Sequence, residues 1–94
     1  MKITKAQQRV YDELVSNVTE ARESGSFDAW FAKAHKGMNP NYKEMCRGSY
    51  ENLLHGVCSI YKAKDETLKK LESLGLIKIV NLKTNLIQLI ERRN

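Results

Sequence analysis

The residues whose side chains could ligate a metal or attack a substrate are two histidines and two cysteines: His35, Cys46, His55 and Cys58. His55 and Cys58 stand three apart, a spacing that shares one face of a helix. Zinc modules draw short-spaced ligand pairs from both halves of the site, and no such second pair is present. Buried thiols and an incidental histidine are the simpler reading, so no metal and no cofactor is expected. A Cys–His nucleophile is weaker still, because no orienting third group or strained turn accompanies it. The acids Asp12-Glu13, Glu20, Glu23 and Asp65-Glu66 lie in helical patterns, where solvation or dipole matching explains them. No glycine-rich phosphate loop occurs. These observations argue against an enzyme.

What remains is cationic chemistry. The 94-residue chain carries a net charge of +5, unevenly distributed. Residues 1–26 hold four basic and four acidic side chains, residues 27–56 four and three, and residues 57–94 eight and four. The surplus therefore sits in the last segment. A basic patch of this kind suits a polyanion, most often nucleic acid.

The elements that would carry those charges are legible from periodicity. Thr4 can cap a helix beginning at Lys5, in which Ala6, Val10, Leu14, Val18 and Ala21 make one apolar stripe. Ser24-Gly25-Ser26 stops it. Ser26 is the next candidate cap. Phe27, Trp30, Phe31 and Ala34 then follow helical spacing, and Gly37 ends that helix. Asn39-Pro40 reads as a cap and a first helical residue. Gly48-Ser49 punctuates again, and Ser49 is the expected cap of a helix containing Tyr50, Leu53, Leu54, Val57 and Cys58. A break is expected near residues 61–64, followed by a fresh helix with Asp65 and Glu66 near its start and Lys69-Lys70 later. After Gly75 the period changes to a β-branched run. A polar interruption at Lys83-Thr84-Asn85 and a second run through Leu86, Ile87, Leu89 and Ile90 predict a β-hairpin.

Leu68, Leu71 and Leu74 form a narrow seam for the core, and Gly75 can take the left-handed conformation that ends a helix. Leu76 then folds back and Ile77 opens a strand. At about 100° per residue, a helix over residues 62–74 turns Lys62, Glu66, Lys69 and Ser73 outward, with Lys70 at their edge.

The run Thr67-Leu68-Lys69-Lys70-Leu71-Glu72-Ser73-Leu74-Gly75-Leu76-Ile77, followed by a hairpin over residues 78–91, resembles the winged helix-turn-helix family. The resemblance implies a mainly α fold with a C-terminal β-hairpin (α+β). It implies one winged-helix domain over residues 1–94, with an extra helical segment at about 26–48. It also implies a DNA-binding protein, a small transcriptional regulator whose recognition helix enters the major groove of double-stranded DNA while a hairpin wing rests on the backbone. The residues assigned to that contact are Lys62, Lys64, Glu66, Lys69, Lys70 and Ser73, with Lys83, Thr84 and Asn85 in the wing. Lys5, Arg9, Arg92 and Arg93 are further candidates for phosphate.

The segment 26–48 departs from the family's short connection between its first helices. Phe27, Trp30 and Phe31 in it are expected either to be core or to form an interface such as a homodimer contact. The rival function is a winged-helix adaptor that binds protein without DNA. Two cysteines are too few for a disulfide framework. No apolar segment follows Lys2 and Lys5, and no apolar run could span a membrane. A cytoplasmic protein without membrane contact is expected.

Overall fold

A computed structural model describes residues 3–91; Met1, Lys2 and residues 92–94, including Arg92 and Arg93, lie outside it. The first helix, α1 (Lys5–Ser24), opens on a reciprocal cap. The Thr4 hydroxyl accepts from the Gln7 N–H, and the Gln7 side chain accepts from the Thr4 N–H. Two otherwise unpaired donors of the first turn are thereby satisfied. Of the expected stripe, Val10, Leu14, Val18 and Ala21 are buried while Ala6, in the first turn, is exposed; Gly25 ends the helix at φ 80°.

Ser26 caps α2 (Phe27–Ala34) by accepting from the Ala29 N–H. A 3-10 helix, Pro40–Cys46, follows, with Asn39 as its cap. It runs without a break into α3 (Arg47–Leu54). The expected cap at Ser49 is therefore corrected: Ser49 lies inside α3, and Gly48 is accommodated within the helix. Helical geometry is already set by the preceding 3-10 turns, and Arg47 pairs back to Glu44 across the junction.

A second correction concerns Val57 and Cys58. They do not extend α3, which ends before Gly56 at φ 80°. They form β1 (Val57–Ser59) instead. After a turn comes α4 (Asp65–Ser73), then β2 (Ile77–Asn81), a short 3-10 turn Leu82–Thr84 and β3 (Leu86–Leu89). The sheet is antiparallel in the order β1-β3-β2, so the C-terminal hairpin gains a third strand. Its register pairs Cys58 and Ile79 with Ile87 from opposite sides, with an irregularity between Ile79 and Asn81. The architecture is thus mainly helical α+β, with four α-helices and this small sheet among the described residues.

One apolar cluster joins these elements. Leu14 of α1, Leu68 and Leu71 of α4, Ile77 of β2 and Ile87 of β3 are fully buried within it. α1 is the central helix, touching α2, α3, α4 and β1. Phe27, Trp30 and Phe31 extend the cluster at 8%, 4% and 8% exposure. They pack with Tyr50 of α3 and His35, and the Arg47 guanidinium lies 4.5 Å from the Phe27 ring centre. Phe27, Trp30 and Phe31 are therefore turned into the core, while Met38, Tyr42 and Met45 of the same segment are exposed. No described helix is long and apolar enough to cross a membrane.

Candidate nucleic-acid interface

The helix α4 is held by its leucine seam and by its end. Leu68 and Leu71 are buried, and Thr67 is half-buried beside them. Beyond the helix, Gly75 takes φ 77°. Its N–H donates to the Glu72 carbonyl at 2.9 Å and the Leu76 N–H donates to the Leu71 carbonyl at 3.2 Å. These are the two bonds of a Schellman motif, which satisfy carbonyls that a helix end leaves open. Leu76 is then held from the other side, because its carbonyl accepts from the Ile90 N–H at 3.1 Å.

A further bond ties the helix to the sheet. The Glu72 carboxylate accepts from the Ile79 N–H at 2.8 Å. β2 is an outer strand, so this N–H faces away from the ladder. Glu72 thus covers an exposed edge donor and fixes α4 against the hairpin.

The solvent side of α4 presents Glu66, Lys69, Lys70 and Ser73, all exposed. The Ser73 hydroxyl donates to the Lys70 carbonyl, so its proton is committed while its oxygen remains an acceptor. Lys64 is the cap residue of α4, exposed and without a side-chain capping bond.

Lys62 requires a correction. It is not on the helix that carries Lys69, because α4 begins at Asp65. Lys62 stands in the preceding turn at φ 63°, and its ammonium lies 5.5 Å from the centre of the exposed Tyr61 ring. The left-handed residue reverses the chain after β1 so that α4 can start in a new direction.

Asn85 requires another. It also has a positive φ, 55°. Its side-chain amide donates to the carbonyls of Ile60 and Ala63, both at 3.1 Å. Its own carbonyl accepts from the Ile60 N–H. The Ser59 hydroxyl donates to the Thr84 carbonyl alongside. Asn85 is therefore a staple between the hairpin turn and the loop before α4, and its amide is not free for a ligand. Thr84 and Lys83 remain exposed at the tip. The Asn81 side chain accepts from the Lys83 N–H and shapes that tip.

Lys78, on the outward side of β2, is a further exposed cation that the sequence pattern did not single out. Strand alternation around Ile77 and Ile79 would have placed it there. Six lysines thus surround α4 and the hairpin: Lys62, Lys64, Lys69, Lys70, Lys78 and Lys83. Among the described residues none of them is in a salt bridge. The acids in the same stretch are Asp65, Glu66 and Glu72, and Glu72 is engaged with the strand edge. Six lysines against three carboxylates leave a surplus of positive charge there, and such a surplus favours a polyanion. Lys5 and Arg9 are exposed at the start of α1.

The histidines and cysteines do not assemble. His55 follows the end of α3, while Cys58 is on β1, so they share no helix face. Among the described residues no group of three His, Cys, Asp or Glu could hold a metal ion. The Asn17 amide donates to Cys58 Sγ at 3.5 Å. Burial nevertheless pushes the thiol above its ordinary range, against that bond and with help from the charge of Glu13. A thiol so shifted is a poor nucleophile at neutral pH.

No protein-family model, curated protein or solved structure matches this chain.

Proposed function

We propose that this protein is a winged-helix DNA-binding protein, a small regulator of transcription. The observation that carries the reading is the set of six lysines outside any salt bridge among the described residues, spread over the turn before α4, α4 itself and the hairpin, which Gly75, Glu72 and Asn85 hold together. In this reading α4 enters the major groove with Lys69, Lys70, Glu66 and Ser73 toward the base edges. Lys83 and Thr84 rest on the backbone, and Lys62, Lys64 and Lys78 neutralise nearby phosphates. A cytoplasmic location and action as a homodimer accompany the reading, since a single module covers little DNA.

The test is a salt titration of binding to duplex DNA. Affinity should fall steeply as salt rises, because each neutralised phosphate releases counterion. Lys69→Ala with Lys70→Ala should weaken binding by removing groove contacts, whereas Lys64→Ala with Lys78→Ala should lower the slope of log K against log salt by about two, at roughly 0.9 per lost phosphate contact. Absence of binding at low salt would leave the protein-adaptor alternative in its place.

A further inference from the structure

A cleft of about 370 Å³ opens between α1, α2, α3 and β1. Its inner wall is apolar, with Trp30, Leu53 and Val57 among its lining. Its polar groups include Asn17 and Glu20 of α1 and Ser49 and Asn52 of α3. None of the six lysines described above lines it, so it is separate from the candidate nucleic-acid surface.

The charge in this cleft runs against that of the protein. No lysine or arginine lines it; Glu20 contributes its only carboxylate and His35 its only imidazole. The Glu20 side chain has neither an ion pair nor a hydrogen bond among the described residues; the Ser24 hydroxyl donates to its backbone carbonyl instead. The side chains of Ser49 and Asn52 are likewise uncommitted, whereas Asn17 already donates to Cys58. A carboxylate beside an apolar, half-enclosed wall is less screened than one in open water, and it attracts a cation more strongly. The volume falls at the lower end of small-molecule sites, which suits one or two rings.

We propose that this cleft binds a small organic cation: a flat apolar ring that fills the space lined by the Trp30 edge, Ala34, Leu53 and Val57 and carries an amidinium or amino group paired with Glu20. Ser49 and Asn52 supply the remaining hydrogen bonds at the rim. The ring excludes water from the Leu53 and Val57 wall, and the carboxylate sets the preference for positive charge.

Benzamidinium is the probe, with neutral benzamide and anionic benzoate as its isosteres. Trp30 is the only tryptophan of the chain, so its indole N–H gives a single assignable signal in proton–nitrogen NMR. Benzamidinium should shift that signal and the side-chain amides of Asn17 and Asn52 saturably, with an affinity in the millimolar range for so small a ligand. Benzamide should bind about tenfold more weakly, and benzoate not at all. Glu20→Gln should bring benzamidinium down to the benzamide level while the rest of the spectrum stays in place. The proposal is overturned if benzamidinium gives no saturable shift at Trp30, if its shifts fall on residues away from the cleft, or if benzoate binds as well. Equal affinity in Glu20→Gln would overturn it too. The spectrum of the unaltered protein locates the ligand by itself, so the test stands whether or not the variant folds.

Discussion

Asn85 offers the sharpest check on how the hairpin is set against α4. Its amide donates two hydrogen bonds of 3.1 Å to the Ile60 and Ala63 carbonyls, and its backbone stands at φ 55°. Replacement by alanine removes both bonds, each worth about 0.5–1.5 kcal/mol net. It also places a residue without a polar side chain in the left-handed region, at a cost of about 1–2 kcal/mol. The expected loss for Asn85→Ala is therefore about 2–5 kcal/mol, a large share of the roughly 5–15 kcal/mol that holds a small domain together. Asn85→Gly separates the two contributions. Glycine accepts the left-handed backbone but makes no side-chain bond, so it should fall about 1 kcal/mol short of the alanine loss. Asn85→Asp should be at least as harmful as alanine, since a carboxylate would face two carbonyl oxygens with nothing to donate. Urea unfolding would read all three as shifts in midpoint at constant slope. An alanine variant within about 0.5 kcal/mol of the original would refute the argument, because that is the range of an uninvolved surface residue.

Three more outcomes follow from named contacts. Arg22 on α1 donates to the Leu54 carbonyl at the end of α3 and pairs with Glu91 beyond β3, so Arg22→Ala should cost about 1–2 kcal/mol after allowance for its exposure. Arg22→Lys should recover only part of it, since one ammonium cannot span both partners; thermal unfolding would show the order. The side-chain bond and charge of Lys43 hold Asp28 below the ordinary carboxylate range, and Arg47 does the same for Glu44. A depressed carboxylate stabilises the fold above its unfolded value, near pH 4, and that contribution is lost as pH falls through the folded value. Asp28→Asn with Glu44→Gln should accordingly flatten the fall in melting temperature below about pH 4, and parallel curves for the two proteins would count against both pairs. Cys58, raised chiefly by burial, should show an alkylation pH profile with its midpoint above the value of about 8.5 for a free cysteine. A midpoint at or below that value, read by mass at Cys58, would contradict the burial argument.

Much of the helical scaffold was legible in the residues themselves. The Thr4 and Ser26 caps, the stop at Gly25, the Asn39-Pro40 start and the Schellman end at Gly75 all lie where local pattern puts them. So do the buried stripe of α1, the seam of Leu68 and Leu71, and the hairpin with its polar turn. Each of these depends on bonds or contacts that span a few residues along the chain, which periodicity and capping chemistry encode directly. The errors fall where a residue's partner is distant. β1 has three residues, too few to display alternation, and it is a strand because β3 lies beside it some thirty positions later. Lys62 leaves the helix because the chain must turn from β1 into α4, and Asn85 loses its freedom to carbonyls of that same turn.

The candidate sites divide in the same way. Residue order alone was enough to gather the cations after residue 57 and to turn Lys69 and Lys70 away from a leucine seam. Folding was needed to commit Glu72 to the edge of β2, to let Arg22 join α1 to the end of α3 and to Glu91, and to leave Glu20 unpaired in the cleft that Trp30 lines. Charge density and helix period are properties of neighbouring residues, whereas the company a side chain keeps depends on which distant segments fold against it.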